Sequence, residues 1–405
     1  MQTKLAEFVR DTAEGQEADR ILRTCVHCGF CTATCPTYQL LGDELDGPRG
    51  RIYQIKQVLE GQPATPRIQQ HLDRCLTCRS CETTCPSGVR YARLLEIGRE
   101  EVDRQVPRGL GQRLLRKALL GVLPHPRRFG LFVRAGSMVR SLLPAHLARP
   151  LPKSSHAAPW PESGHARRML VFDGCAQPAL APTINAAAAR VLDHLGIQPL
   201  RAPEAGCCGL LPQHLGEPET ARVFARRNID AWWPALEQGA EAIVVTASAC
   251  AGMLKEYREI LSSDPAYAAK AERVAELCLD ISEVLEREDL GRLQTLGQGT
   301  RVAFHSPCTL QHGLGLGGRV EALLSRLGFE LAPVPDSHLC CGSAGTYSLL
   351  QPELSDRLRA EKRRALTSGQ PQAIATANIG CLSHLRDDRG PPVMHWIELL
   401  AERTP

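Results

Sequence analysis

Aromatic residues are scarce, at 4 % of 405 positions, and the net charge is only +4. That leaves little stacking surface and no strong electrostatic footprint, so nucleic acid is not an expected partner. No apolar run approaches the ~18 residues a membrane-crossing helix requires, and contact with a membrane is therefore expected to be peripheral at most. Nothing at the N-terminus has the make-up of a secretory signal, which points to a reducing cytoplasm, either in solution or on the inner face of the cell membrane. Acidic residues are missing from one long stretch: between Arg104 and Lys153 there are eleven Lys or Arg and no Asp or Glu.

Cysteine, by contrast, is abundant, with 17 in the chain. The segment CVHCGFCTATCP carries Cys25, Cys28, Cys31 and Cys35, and 50 positions later CLTCRSCETTCP carries Cys75, Cys78, Cys81 and Cys85 in the same CxxCxxCxxxCP spacing. Disulfides are a poor account of thiols so close together, because they cannot all reach bridging geometry in one tight turn. Zinc usually takes two CxxC pairs separated by a longer loop. Three cysteines at steps of three let one winding of backbone supply three corners of an iron-sulfur cube. In doubled runs of this kind the fourth cysteine, followed by proline, reaches across to the other cluster. The spacing therefore predicts two [4Fe-4S] clusters, one held by Cys25, Cys28, Cys31 and Cys85 and the other by Cys75, Cys78, Cys81 and Cys35.

Eight further cysteines form two matching sets, Cys175, Cys207, Cys208, Cys250 and Cys308, Cys340, Cys341, Cys381. The offset between copies is 133 for the first three positions and 131 for the last, and both sets contain a Cys-Cys-Gly triplet. An internal duplication of a domain of about 130 residues explains this regularity. Each copy opens on an apolar strand signal, RRMLVFDGC or TRVAFHSPC, continues through a helix, and later carries EAIVVTASAC or QAIATANIGC. Alternating strands and helices predict parallel α/β units, in which loops at the carboxyl ends of strands converge. Three chemistries remain open for these thiols: buried core, a further cluster or zinc ion, or a redox-active dithiol. Cys278 stands outside both sets on an apparent helix, AERVAELCLDISEVL, and reads as core.

The basic stretch, with RLLRKALLGVLP and LFVRAGSMVRSLLP on either side of Pro124 and Pro126, predicts two amphipathic helices. It reads as a connector, a docking face for an acidic partner, or an anionic lipid contact. HGLGLGG contains a formal GxGxxG at Gly313, Gly315 and Gly318, but Pro307 and Cys308 separate it from the strand, and the other copy lacks these glycines. A turning loop is the expected role rather than a dinucleotide site.

These motifs together resemble the iron-sulfur subunits of bacterial glycolate oxidase, a helical ferredoxin domain followed by two cysteine-rich CCG domains. GDELDGPRGRI between the two runs looks like that family's connection. The resemblance implies an α+β multidomain chain: an all-α helical ferredoxin-type domain with two [4Fe-4S] clusters over 1–103, a basic amphipathic connector over 104–165, and duplicated α/β CCG domains over 166–298 and 299–405. It also implies electron transfer from a separate flavin-binding dehydrogenase subunit that oxidises glycolate to glyoxylate toward a quinone or other acceptor. The chain itself would then have ligand cysteines and no catalytic residue. Iron-sulfur subunits acting with lactate or glycerol-3-phosphate dehydrogenases, and a thiol/disulfide enzyme resembling heterodisulfide reductase, share the architecture. A cluster-dependent sensor or assembly scaffold remains a further alternative. Where the full CCG motif has a second thiol, this sequence has Met253 and His384, which makes an unusual noncubane cluster a poor expectation. Nearby amides, threonines and Arg74 or Arg79 would then tune cluster potentials through hydrogen bonds and charge, and His27 reads either as a further tuner or as a solvated loop side chain.

Overall fold

The computed structural model describes residues 1–142, 151, 159–293 and 296–402. Residues 143–150 and 152–158 of the expected connector, 294–295 of the first CCG domain and 403–405 of the second lie outside the described residues. The chain divides into two compact units, one of residues 1–117 and 338–362, the other of residues 118–337 and 363–405.

In the first unit, helices Ala13–Thr24, Pro48–Leu59, Pro66–Asp73 and Tyr91–Gln105 enclose one apolar core. Their starts are written in the sequence. Thr12 and Thr65 accept hydrogen bonds from the Gly15 and Ile68 amides, and Pro36, Pro48 and Pro66 sit at helix starts, where a missing N–H costs nothing. Leu22, Ile55, Leu59, Leu94 and Leu95 are completely buried, each such side chain contributing about 1.5–3 kcal/mol. Gly98 lets Tyr91–Gln105 approach Pro48–Leu59, since a Cβ there would stand 2.6 Å from Ile55 Cγ1. The two CxxCxxC loops leave this helical frame at Thr24 and Asp73. The helix signals are local; the core they share fixes where the loops emerge.

The second unit holds two four-stranded parallel sheets. Strands β1 (Arg167–Val171), β2 (Ile197–Leu200), β3 (Ile243–Val245) and β4 (Cys278–Asp280) run in the order β2-β1-β3-β4. Strands β5 (Arg301–His305), β6 (Glu330–Leu331), β7 (Ala373–Thr376) and β8 (Val393–His395) repeat that order as β6-β5-β7-β8. Strands β3 and β7 are buried along their whole length, as befits parallel strands covered on both faces. One core runs through both sheets. There the alanine-rich helix Thr183–His194 lies beside Trp396–Ala401, with Trp396 fully buried.

One expectation changes here. Cys278 is core, but the long helix read around it ends at Leu277. Cys278 and Leu279 instead pair with Ile243 and Val244 as strand β4. A new helix, Ile281–Arg287, begins after the Asp280–Glu283 capping box, whose reciprocal bonds end the strand. The glycines of HGLGLGG serve turns: Gly315 and Gly318 have φ of +70° and +80°, and Gly318 caps helix Arg319–Arg326.

The basic stretch forms helices Leu110–Val122 and Pro126–Met138. Phe129 and Val133 of the latter pack with Leu151 and with Ala176, Ala179 and Leu180 beside the first CCG sheet. Leu131, Phe132 and Met138 on the same helix stay exposed.

Candidate functional site

Both CxxCxxC loops wind through the same backbone conformation. Residues at the second and fourth positions after the first cysteine have positive φ in each run: His27 and Gly29 at +60° and +90°, Thr77 and Arg79 at +52° and +61°. For a non-glycine residue this left-handed region costs roughly 1–2 kcal/mol. The repeated cost buys one arrangement twice, three thiols turned to a common side of a loop. In the second loop the Thr77 amide lies 3.4 Å from Cys75 Sγ, and the Tyr91 hydroxyl lies 3.6 Å from the same sulfur.

The thiols gather in two groups that each take one member from the other run. Cys25, Cys28, Cys31 and Cys85 line one cavity, with His27, Phe30 and Arg49 at its wall; Cys81 also borders it. Cys35, Cys75, Cys78 and Cys81 line a second cavity, with Arg51, Thr37 and Tyr91. Burial first, then the neighbouring Cys25 thiol, with Cys85 and Cys28 behind it, pushes Cys31 up to about 11. Burial, then Cys78, Cys75 and Cys35 among its neighbours, raises Cys81 well above the ordinary thiol value. Each cavity thus gathers four cysteine sulfurs, the donor set a four-iron cluster takes, so these residues fit such a group.

The two cavities differ in surroundings. Of the first group Cys28 is exposed and only Cys25 is buried, whereas Cys35, Cys75 and Cys81 of the second group are buried. Beside the first cavity, Arg49 pairs with Glu44 at 2.6 Å, both partly exposed. Beside the second lies a network that sequence reading missed. Asp46 is fully buried and meets Arg51 at 3.4 Å, His71 at 3.0 Å and Arg74 at 2.8 Å. Asp46 and Arg51 both stand in GDELDGPRGRI, so the signal was present as a motif without a role. Of the arginines expected as tuners, Arg74 pairs with Asp46 and Arg79 lines the second cavity; the His27 ring meets Tyr53 edge-on at 6.2 Å.

In the first CCG repeat the four expected cysteines converge. Cys175 follows β1, Cys207 and Cys208 precede Gly209, whose φ is +97°, and Cys250 lies in the first turn of helix Ser248–Lys255 after β3. The neighbouring Cys175 and Cys208 thiols, with the Gly209 amide at 3.4 Å and the Arg227 charge, hold Cys207 well below the ordinary thiol value, and Cys207 together with burial pushes Cys175 and Cys208 up. Buried Asn228 fixes the triplet, accepting from the Gly206 amide at 2.9 Å and donating to the Cys207 carbonyl at 2.9 Å, while the Tyr257 hydroxyl donates to the Cys208 carbonyl at 2.8 Å. Met253 is 1 % exposed and packs in the adjoining apolar cluster.

In the second repeat, Cys308 follows β5 and Cys381 lies in the first turn of helix Ile379–Leu385 after β7, with His384 half-buried on the same helix. Cys340 and Cys341 belong to the unit of residues 1–117 and 338–362. The Gly342 amide lies 3.4 Å from Cys340 Sγ, as Gly209 does from Cys207. Nearby, the Tyr347 hydroxyl donates to the Arg74 carbonyl at 3.2 Å, and burial, then Cys75, with Cys340 also contributing, raises that phenol above its ordinary value.

The pattern of a 4Fe-4S dicluster domain matches residues 21–89, and that of a cysteine-rich domain matches 169–255 and again 302–386. The chain is 56 % identical over 403 residues to the glycolate oxidase iron-sulfur subunit of Escherichia coli (strain K12), covering 99 % of each protein. The chain belongs to that family. A probable glycolate oxidase iron-sulfur subunit of Bacillus subtilis (strain 168) is 31 % identical over 94 % of this chain and 90 % of its own length. Lactate utilization protein A of Bacillus licheniformis is 28 % identical over 58 % of this chain. In this family frame the eight N-terminal cysteines fall inside the dicluster match, and all eight repeat cysteines fall inside the two cysteine-rich matches.

Proposed function

We propose that the chain is the electron-transfer subunit of a glycolate oxidase complex. A flavin-binding partner oxidises glycolate to glyoxylate, and this chain carries the electrons onward to a quinone or other acceptor. The observation that carries the reading is the pair of thiol groups, each drawn from both CxxCxxC runs, in a chain 56 % identical along its length to a glycolate oxidase iron-sulfur subunit. Cys25, Cys28, Cys31 and Cys85 hold one [4Fe-4S] cluster and Cys35, Cys75, Cys78 and Cys81 the other. Bound there, each cluster supplies reversible one-electron chemistry. The protein's part is to hold four sulfurs at fixed corners and to direct the Thr77 amide and Tyr91 hydroxyl at Cys75. The thiols of the first CCG repeat form a further donor set for a cluster or zinc ion.

Among the described residues no helix is long and apolar enough to cross a membrane. The connector's exposed Leu131, Phe132 and Met138, amid its basic residues, support contact with a partner or an anionic membrane face. The greater identity and coverage of the glycolate oxidase subunit, compared with lactate utilization protein A, favour glycolate over lactate as the complex's substrate. Rapid mixing with the flavoprotein partner and glycolate, followed by freeze-quench EPR, tests this reading. Cluster signals that appear within one turnover support it; clusters that stay oxidised through many turnovers contradict it.

A further inference from the structure

A buried guanidinium stands against only one of the two N-terminal thiol groups. Arg51 is 1 % exposed and lines the cavity of Cys35, Cys75, Cys78 and Cys81. It is held on three sides: Nε donates to the His71 carbonyl at 2.8 Å, NH1 to Thr37 Oγ1 at 3.1 Å, and NH2 to Asp46 Oδ1 at 3.4 Å. Thr37 Oγ1 in turn lies 3.3 Å from Cys35 Sγ, so one hydroxyl separates the cation from a sulfur. Asp46 is shared with Arg74 at 2.8 Å, which leaves two guanidinium groups against one carboxylate. The other cavity has Arg49 alone, paired with Glu44 and 34 % exposed, where solvent screens both charges.

A cluster with four thiolates becomes more negative on reduction, and burial makes that added charge costly. A buried cation offsets that cost far more effectively than an exposed one, because the local dielectric is low. Burying an arginine is itself costly unless it is paired, and Asp46 provides the pairing while leaving charge to spare.

We infer that Arg51 is the countercharge that makes the buried Cys35/Cys75/Cys78/Cys81 site reducible, with Asp46 fixing its position and moderating its field. The inference rests on the dicluster reading above. The step concerned is the uptake of one electron, from reduced flavin in the complex and from dithionite in the test. No bond is made or broken. Arg51 thus holds up the potential of the more buried site, and Arg74 adds a weaker field from the same side.

The test is mediated redox titration of the anaerobically purified full chain, followed by EPR. Wild type is compared with Arg51→Gln, Arg51→Lys, Asp46→Asn and Arg74→Gln. In Arg51→Gln one of the two signals should need about a tenfold larger driving ratio for reduction, ~59 mV for one electron, while the other stays in place. Arg51→Lys should recover most of that loss, and Asp46→Asn should shift the same signal the opposite way. If Arg51→Gln fails to retain clusters, the opposed shifts of Asp46→Asn and Arg74→Gln carry the test. Unmoved signals, equal shifts of both signals, or shifts of the same sign in Asp46→Asn and the arginine variants overturn the inference. Protein without acid-labile sulfide in wild type would instead sink the dicluster reading itself.

Discussion

His395 Nε2 donates to the Thr246 carbonyl at 2.7 Å, tying the carboxyl end of β8 in one sheet to that of β3 in the other. Its Nδ1 accepts from the Ile397 amide at 3.2 Å, so both ring nitrogens are committed and the ring is held in its neutral form. Burial pushes it down from 6.5 to about 4, against the opposing influence of the Thr246 carbonyl. The unfolded chain therefore takes up this proton first on acidification. The stability His395 contributes is complete above 6.5 and is lost as pH falls toward 4, by up to about 3 kcal/mol. Urea unfolding at neutral pH and at about pH 5 should show this slope. His395→Gln should be weaker at neutral pH and lack that part of the acid sensitivity; an unchanged slope would contradict the assignment.

Replacing Cys85 with Ser should leave the same residual EPR signal as replacing Cys28, although the two cysteines lie in different runs. Replacing Cys78 should leave the complementary signal. If Cys85→Ser instead matches Cys78→Ser, each run serves its own cluster and the interchange is wrong.

Gly98→Ala sets two effects against each other. Alanine gains about 1 kcal/mol of helix propensity over glycine. Its Cβ, however, would meet Ile55 Cγ1 at 2.6 Å and Cδ1 at 2.8 Å, and overpacking of this kind costs about 1–3 kcal/mol. A net loss of stability is expected, partly recovered by adding Ile55→Val, which removes Cδ1. Denaturant midpoints of the two single variants and the double variant give the coupling directly, and strict additivity would rule out the contact as the cause.

Leu131, Phe132 and Met138 are 67 %, 63 % and 80 % exposed. Changing all three to Ser should alter stability by no more than about 0.5 kcal/mol per site while weakening capture of the flavoprotein subunit. Capture equal to wild type at matched concentration would assign these residues no part in partner docking.

Much of this site was legible because its chemistry is written in spacing. The doubled run made legible that Cys85 would gather with Cys25, Cys28 and Cys31 and that Cys35 would gather with Cys75, Cys78 and Cys81, and two matching strand-and-helix series made the repeated parallel α/β unit legible. Local signals failed at Cys278, where apolar residues before and after a three-residue strand mimic one helical stripe and only pairing with β3 reveals the break. They also failed at Arg51 and Asp46. A buried ion pair has no sequence signature distinct from a surface one, and its meaning depends on thiols brought up by the chain from Cys35 and from Cys75. Asn228 and Tyr257 escaped for the same reason, each acting on the backbone of a triplet more than 20 residues away.

The most direct measurement is metal and acid-labile sulfide content of anaerobically purified protein, read with the EPR spectrum of the dithionite-reduced form. Two cubes in the N-terminal cavities require at least about eight irons and eight sulfides per chain, with two signals in the reduced spectrum. About one zinc per CxxCxxC run, no sulfide and a silent spectrum would contradict the account.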